Sequence, residues 1–480
     1  MIFTCLNFNL LKFKSISINI FIILYFYHFK GIVNSEGDLW KSNRRFLLKQ
    51  RMGMKHWGGQ GIAQIETVVQ KEVVGFLEDL LKDHNSKPVN PNNLINSAIS
   101  NVICSMIMST RFRYNDPKFQ RFMFLFDEGF RLFAAGAAGC IFLPFLKYLP
   151  GVKTTISKLH DNREEMLQFV RKVVAEHKEH LDPENPKDLI DSYLLEIEKI
   201  RNEEEHQELF HGYDPEKQLE QIILDLFSAS VETLKTSLLW SIVYMLHNPK
   251  EKRKVQQELD EIVGPNMLPR LSDMQNLPYT RATLYEIMRR SSVVPMGTTH
   301  ATDRVVELEG YTIPKNAHVI PLLHAVHMNP ECWDEPEQFR PSRFLNEDGT
   351  KVQKPEHFMP FGVGNRMCLG DSLAEKEFFL FFSSILHTFD IELPEGASLP
   401  DLRGTTGITV TPNQYEVIFT PRPGRTNNNV SFDDNSQTCS TASEAFDSEE
   451  VMKKFNTENA LAMCKRTLTE QSAIQTRLYG

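Results

Sequence analysis

The segment FGVGNRMCLG, residues 361–370, decides the fold because it sets one cysteine, Cys368, in a glycine-rich loop. A helix is predicted to begin directly after this loop, near Asp371. The amides of such a loop and the positive end of such a helix both stabilise a thiolate over a thiol. The pattern therefore suits a thiolate with the lowered pKa that a metal ligand requires.

Three glycines of the same segment support this interpretation. Gly362 and Gly364 are expected to permit a tight turn, and Gly370 lets the backbone approach a flat bound group. The alternative is an inert buried thiol, which is the commoner fate of a single cysteine. That alternative is our interpretation of the other six cysteines, which are Cys5, Cys104, Cys140, Cys332, Cys439 and Cys464.

The composition limits the class of protein. The 480 residues, 41% hydrophobic and 10% aromatic, are enough for two or three ordinary domains or for one large, mostly helical enzyme. The formal net charge of -9 argues against a nucleic-acid partner held through phosphate contacts. The scattered cysteines include no CxxC pair, which indicates a reducing compartment and no structural zinc site.

The spacing of apolar residues predicts a mainly α fold with a smaller β part. Helical spacing runs from Ser97 to Glu208, with a polar break at residues 182–187. Residues 217–245 are apolar along most of their faces, which predicts one long core helix. After Thr299 the stretches VVELEGYTIP and HVIPLL predict short strands.

The apolar, proline-bounded segment from Cys140 to Val152 has two interpretations. It is either a buried loop or a surface that dips into lipid. The sequence leaves both open.

Three segments divide the chain. Residues 1–30 are atypical: their apolar run from Ile16 to Phe29 is shorter than the roughly 20 residues of a membrane span. A short anchor, a signal-like segment and a mispredicted first exon remain open, and the exon error is favoured. Residues 31–425 form the main domain, and residues 426–480 are predicted to be a polar, disordered tail.

The loop around Cys368 resembles the haem-ligand signature of the cytochrome P-450 superfamily, and three further motifs follow the family's order. The resemblance implies the cytochrome P-450 fold, with Cys368 as ligand of haem b iron and Phe361, Gly362 and Gly370 beside the cofactor. Within the microsomal clan, the chain is similar to arthropod ecdysteroid 26-hydroxylases. The stretches behind this similarity are LDLFSAS, VETLKTSLLW, MRRSSVVPMGTTHATD, HFMPFGVGNRMCLGD and DIELPEG.

Glu286 and Arg289 in LYEIMRR lie one helical turn apart, and Arg343 lies in FRPSRF. On spacing alone, a Glu and an Arg three residues apart form a surface pair worth a few tenths of a kcal/mol. With Arg343 they resemble the family's Glu-Arg-Arg network. The resemblance implies a buried structural network that holds the Cys368 loop.

Four residues resemble the donors that bind haem propionates in the family. Trp40 and Arg44 in WKSNRR share a helix face, and His300 and Arg366 match the other two positions. Charge-assisted hydrogen bonds to two carboxylates are strong. Taken singly, each of the four is equally consistent with ordinary surface.

Glu232 and Thr233 in ASVETLKTS align with the acid and hydroxyl pair that the family uses to deliver protons during oxygen activation. The family usually has Gly where this chain has Ser230. Serine favours a regular helix by roughly 0.5 kcal/mol, and its hydroxyl is able to bond to the carbonyl of Leu226. Both effects oppose the local helix opening that the family uses to seat dioxygen. We therefore expect slower oxygen activation or more release of peroxide.

The resemblance also implies a substrate pocket. It would be lined by the core helix, by the loop 293–299 and by the turn 407–409. The pocket residues named on this basis are Phe227, Ala229, Val293, Val294 and Ile408. By themselves these stretches are equally consistent with core.

The family implies a haem-thiolate monooxygenase that uses dioxygen to hydroxylate a lipophilic substrate, here an ecdysteroid. NADPH enters only through NADPH-cytochrome P-450 reductase, because the chain has no nicotinamide fingerprint. Lys41, Arg45 and Lys376 are candidate docking contacts. The implied location is the cytosolic face of the endoplasmic reticulum membrane.

Family members carry an anchor, a hinge, helices and a substrate loop upstream of the position of Trp40, so we expect a truncated N-terminal portion. Three alternatives therefore stay beside the steroid hydroxylase. They are a monooxygenase acting on foreign lipophiles, a haem-binding pseudoenzyme and an inactive truncated protein.

Overall fold

The computed structural model describes residues 30–52, 61–134, 139–202 and 210–425. The N-terminal segment, apart from Lys30, and the tail 426–480 lie outside the described residues. The mainly α fold with a smaller β part is confirmed.

Within these ranges the chain forms twelve α-helices. They are α1 (Gly37–Met52), α2 (Gly61–Asp83), α3 (Asn92–Met108), α4 (Pro117–Leu132), α5 (Gly139–Phe142), α6 (Pro150–His180), α7 (Leu189–Asn202), α8 (Pro215–His247), α9 (Pro249–Ile262), α10 (Pro278–Ser291), α11 (Leu323–His327) and α12 (Asp371–Thr388). Short 3-10 helices cover Pro144–Tyr148, Leu271–Asn276 and Pro341–Phe344. None of the described helices is both long enough and apolar enough to span a bilayer.

In the described part of the chain, nine short strands form antiparallel sheets. They are β1 (Pro88–Val89), β2 (His300–Ala301), β3 (Val306–Leu308), β4 (Tyr311–Ile313), β5 (His318–Val319), β6 (Phe389–Glu392), β7 (Thr405–Thr406), β8 (Val410–Thr411) and β9 (Val417–Pro421). The largest sheet has the order β1-β9-β6, and the pairs β2-β5, β3-β4 and β7-β8 form two-stranded sheets. In the largest sheet, Val89 lies opposite Val417 and Ile391 lies opposite Phe419.

Local sequence explains where the helices begin and end. Helix α4 starts at a proline after Asp116, whose side chain accepts hydrogen bonds from the amides of Lys118 and Phe119. The Asp214 side chain caps α8 in the same way. The predicted core helix is confirmed as α8, and the polar break at 182–187 separates α6 from α7.

One strand prediction is wrong in part. VVELEGYTIP forms the hairpin β3–β4, and Glu309 and Gly310 both take positive φ at its turn. In HVIPLL only His318 and Val319 are strand residues, because Pro321 supplies no amide hydrogen and α11 begins at Leu323.

The described residues fall into two compact units. The first contains the described residues up to 68 and from 96 to 232, and the second contains residues 69–95 and the described residues from 233 onward. In the first unit the buried Asp225 of α8 accepts hydrogen bonds from the amides of Ile32 (2.8 Å) and Val33 (2.9 Å). Burial raises the pKa of Asp225. A side chain at Gly31, whose φ is +41°, would collide with the Asp225 carboxylate, so glycine is required there.

The second unit contains all nine strands and the Cys368 loop. In α12 every residue from Glu377 to Thr388 is buried. Phe381 of this helix packs edge-on against Phe76 of α2 at 6.2 Å between ring centroids. The Lys252 ammonium of α9 lies 2.6 Å from the Asp390 carboxylate of β6. The helix that follows Cys368 is thus fixed in the core of its unit.

Candidate functional site

The loop that carries Cys368 contains two successive turns. The Gly362 amide donates to the Met359 carbonyl at 3.0 Å, and the Met367 amide donates to the Gly364 carbonyl at 3.1 Å. The Cys368 amide then donates to the Phe361 carbonyl at 2.9 Å, which closes the loop. Cys368 is exposed and lies three residues before α12 begins, at the positive end of that helix.

The glycines of this loop are bordered by open space. Gly362 and Gly364 have φ of +73° and +76°, as the predicted tight turn requires. A Cβ atom added at Gly362, Gly364 or Gly370 would meet no heavy atom within 4 Å. An exposed cysteine just before a helix N-terminus, in a loop whose glycines have open space around them, fits a flat metal-containing cofactor such as haem.

Glu286, Arg289 and Arg343 meet in the same unit as this loop. Both side chains of the Glu286–Arg289 pair are 0% exposed, and the guanidinium donates two hydrogen bonds of 2.8 Å to the carboxylate. Arg343 Nε lies 3.2 Å from Glu286 Oε1. Burial lowers the pKa of Arg343, and the nearby Glu286 carboxylate opposes this shift.

The three side chains bind backbone groups of residues 327–340. Arg289 donates to the carbonyls of His327 (2.7 Å) and Pro336 (2.9 Å). The Arg343 guanidinium donates to the carbonyls of residues 334, 335 and 338. Two guanidinium groups held by one buried carboxylate therefore order a long stretch of irregular backbone.

His327 belongs to this assembly, and the sequence reasoning missed it. The Met359 amide donates to His327 Nε2 at 3.1 Å, and His327 Nδ1 lies 3.0 Å from Ser292 Oγ. Its partners lie 32 and 35 residues away in the chain, so no local pattern marks it.

Glu377 of α12 was also missed. Its Oε1 is buried with no hydrogen-bond partner, and burial raises the pKa of the carboxyl from 4.5 to about 8. The only sequence signal is an acid at the start of the apolar run FFLFF. Such an uncompensated group is costly, and it is protonated at neutral pH.

Glu232 and Thr233 are consecutive in α8, Glu232 buried and Thr233 half-buried. The helix runs unbroken through Ser230. The bond that the Ser230 hydroxyl is able to make to the Leu226 carbonyl is not formed, whereas the Ser237 hydroxyl donates to the Thr233 carbonyl at 2.8 Å.

A small cavity lies beside Glu232 in the first unit. Its volume is about 10 Å³, enough for one water molecule. Asn96 Oδ1 and Ser100 Oγ are buried without a hydrogen-bond partner, and both residues line the cavity with Asp127 and Glu232. Two orphaned acceptors at one small cavity fit an ordered water.

The structure places the five predicted pocket residues in both units. Phe227 is buried, packs against Phe122 and Phe126, and lines the cavity beside Glu232, whereas Ala229 is exposed. In the second unit, Val293 and Val294 are half-buried and Ile408 is 39% exposed.

Val410 joins the two predicted pocket segments of the second unit. Its amide donates to the Val293 carbonyl at 2.9 Å, and its carbonyl accepts a 2.7 Å hydrogen bond from Trp240 Nε1 of α8. The turn that contains Ile408 is therefore fixed to the 293–299 loop and to the core helix.

The predicted propionate donors also divide between the units. In the first unit the Arg44 guanidinium stacks on the Trp40 ring at 5.7 Å. In the second unit His300 Nδ1 donates to the Thr298 carbonyl at 2.7 Å, and Arg366 is half-buried in the cysteine loop.

The three candidate docking cations lie at or near the surface. Lys41 pairs with Asp38 at 2.9 Å, Arg45 is exposed, and Lys376 donates to the Ser372 hydroxyl at 3.1 Å. Of these, Lys41 and Arg45 belong to the first unit and Lys376 to the second.

The segment 140–152 is not a buried loop. Leu143, Phe145, Tyr148 and Leu149 are exposed, with exposed fractions from 40% to 69%. Four large apolar side chains within seven residues form an exposed patch, which we call the 143–149 patch. Such patches occur at surfaces that meet proteins or membranes.

Comparisons with known proteins identify a family and several relatives of this chain. The family model described as Cytochrome P450 matches residues 13–419. Cytochrome P450 18a1 of Drosophila melanogaster is 51% identical over 397 residues, which are 82% of this chain and 73% of that protein. Human Cytochrome P450 2U1 is 34% identical over 395 residues, and mouse Cytochrome P450 2B19 is 35% identical over 395 residues. These matches cover 82% of this chain and 70% and 77% of the two relatives.

Proposed function

Because the chain belongs to the cytochrome P450 family of haem-dependent monooxygenases, we propose that it inactivates an ecdysteroid by hydroxylating its side chain at carbon 26. The observation that carries the substrate is the similarity of the quoted stretches to arthropod ecdysteroid 26-hydroxylases. The 51% identity to the Drosophila relative, against 34–35% to the human and mouse relatives, supports an arthropod subgroup.

Cys368 would hold the haem iron, and the glycine loop with Phe361 would lie against the cofactor. When bound, the haem supplies the activation of dioxygen with electrons that a reductase passes on from NADPH. The loop amides and the N-terminus of α12 keep the sulfur ionised as the ligand. Trp40, Arg44, His300 and Arg366 are our candidates for the propionates.

Inserting one oxygen atom into a C–H bond releases the other as water, which consumes two electrons and two protons. We assign the protons to Glu232 and Thr233, which are adjacent in α8. The orphaned polar atoms of the cavity beside Glu232 support a bound water there, from which the carboxyl is reprotonated.

We assign the substrate contacts to five residues, which are Phe227, Ala229, Val293, Val294 and Ile408. The hydrogen bonds of Val410 to Val293 and Trp240 support a preformed wall in the second unit. An apolar wall suits the hydrocarbon side chain of a steroid.

The protein works with NADPH-cytochrome P-450 reductase, for which Lys41, Arg45 and Lys376 are candidate contacts. We place the protein on the cytosolic face of the endoplasmic reticulum membrane. The exposed 143–149 patch supports contact with lipid.

Incubating the purified protein with reductase, NADPH and 20-hydroxyecdysone tests this function. We expect a hydroxylated product at carbon 26, identified by mass spectrometry and fragmentation. The matched control is Cys368→Ser, which should yield no product. Oxidation of foreign lipophiles together with an unchanged ecdysteroid would instead assign the chain to xenobiotic metabolism.

A further inference from the structure

The side chain of His327 is 1% exposed and bonded at both ring nitrogens. An amide always donates, so Nε2 accepts the hydrogen bond from Met359 at 3.1 Å and carries no proton. The ring proton is therefore on Nδ1 and is donated to Ser292 Oγ at 3.0 Å. The Ser292 hydroxyl in turn donates to the Arg289 carbonyl at 2.9 Å.

Met359 is the first residue of the turn that leads to the cysteine. Its carbonyl accepts the Gly362 amide at 3.0 Å, and the Phe361 carbonyl accepts the Cys368 amide at 2.9 Å. The hydrogen bond from Met359 to His327 therefore fixes the base of the loop.

The other side of His327 is anchored in the buried ion network. Arg289 donates to the His327 carbonyl at 2.7 Å, so backbone and ring belong to one hydrogen-bonded assembly. Burial lowers the pKa of His327 from 6.5 to about 3, with a further contribution from Arg289. The ring is thus neutral near pH 7, as acceptance at Nε2 requires.

We propose that His327 is a positioning residue for Cys368: by accepting the Met359 amide, it transmits the rigidity of the Glu286–Arg289–Arg343 network to the loop that ligates iron. This role depends on the haem-thiolate chemistry of the family and not on the identity of the substrate.

Two substitutions separate this hydrogen bond from the packing of the ring. In His327→Gln the amide oxygen reaches the position of Nε2 and still accepts from Met359, but the bond to Ser292 is lost. In His327→Asn the amide nitrogen replaces Nδ1 and still donates to Ser292, but Met359 loses its acceptor. Both variants lose the ring contacts with Phe358 (6.0 Å) and Trp333 (6.4 Å).

The first readout is the difference spectrum of the reduced, carbon monoxide-bound holoenzyme. We expect His327→Asn to move a large fraction of the Soret band from the thiolate to the thiol position, and His327→Gln to keep the wild-type band. His324→Gln, an exposed histidine of the same helix, is the control and should match the wild type. Equal loss in the Asn and Gln variants, or no loss in either, would overturn the proposal.

Hydrogen exchange gives a second readout that needs no turnover. The Met359 amide should exchange about five- to tenfold faster in His327→Asn than in His327→Gln, as expected for one lost hydrogen bond. If His327→Asn does not fold, the wild type still decides, because fast exchange of its Met359 amide would contradict the proposal. A wild type with a thiolate spectrum but no ecdysteroid product would refute the substrate proposal alone.

Discussion

At the scale of single residues, the Glu286–Arg289 pair is expected to matter more for stability than any exposed ion pair. Both side chains are fully buried, so removing one partner leaves a charge without compensation. We predict that Arg289→Gln lowers the free energy of unfolding by about 3 to 5 kcal/mol, measured by urea denaturation. Arg403→Gln removes an exposed pair with Asp401 at 2.7 Å and should have no measurable effect; equal losses would contradict burial as the cause.

Ser100 tests whether the cavity beside Glu232 holds water. If an ordered water bonds the Ser100 hydroxyl, Ser100→Ala should destabilise the protein by about 1 kcal/mol in urea denaturation. A dry cavity predicts the opposite sign, because the substitution would then remove an unsatisfied buried hydroxyl. A stabilised variant would also remove the support for reprotonation of Glu232.

The role of a residue could be predicted from the sequence when its partners lie close to it in the sequence. Cys368 and its glycines were identifiable because the turn and the helix that define them lie within ten residues. Glu286 and Arg289 were identifiable as a pair, but only the resemblance connected them to Arg343. His327 was missed because its partners are distant in the sequence. The Ser230 hydroxyl is able to reach the Leu226 carbonyl, but sequence alone does not fix the rotamer that decides whether it does.

At the scale of elements, α8 and α12 show which patterns identify a helix. Helix α8 was predictable because 33 residues with apolar side chains on most faces have no alternative to a buried helix. The strand predicted for HVIPLL was longer than the observed strand, because an apolar run of this length does not distinguish the end of a strand from the start of a helix. The buried Glu377 of α12 contradicts the hydrophobic pattern, so only the fold reveals its cost.

Glu377 should make stability depend on pH. Its pKa rises from 4.5 to about 8 on folding, so the folded protein keeps a proton that the unfolded chain releases between these values. The free energy of unfolding therefore falls as pH rises through this window, by up to about 1.4 kcal/mol per pH unit. Glu377→Gln should flatten this part of the denaturation profile relative to wild type. The exposed Glu395→Gln should not, and an unchanged slope in Glu377→Gln would refute this prediction.

The 143–149 patch belongs to the same scale. Phe145, Tyr148 and Leu149 are each more than half exposed, and each large apolar side chain contributes on the order of 1.5 to 3 kcal/mol when fully buried. Changing all three to Ser should lower the affinity for phospholipid vesicles, measured by co-sedimentation, by at least about tenfold. Tyr311→Ser with Leu322→Ser, also exposed, is the control, and equal weakening would mean that the patch has no special role. The apolar run from Ile16 to Phe29 is common to all variants, so it does not account for a difference in vesicle binding between them.

At the scale of the whole molecule, two arginines attach the last described residues to helix α9. Arg422 and Arg425 bind the Asp260 carboxylate at 2.5 and 2.7 Å, and the side chain of Arg425 is only 7% exposed. We predict that a chain ending at Arg425 unfolds at the same temperature as the full chain. A chain ending at Pro421 should be roughly 2 kcal/mol less stable. Calorimetry checks both, and a loss on removing 426–480 would contradict the predicted disordered tail.

Val410 has a consequence for how this enzyme changes over evolutionary time. Its two hydrogen bonds fix the backbone of the 407–409 turn, yet Ile408 is more than a third exposed and Met296 is 48% exposed. Exposed side chains on a fixed backbone are replaceable at little cost in stability. Under the proposed function, point substitutions at such positions change substrate preference and leave the buried Glu286–Arg289–Arg343 network intact.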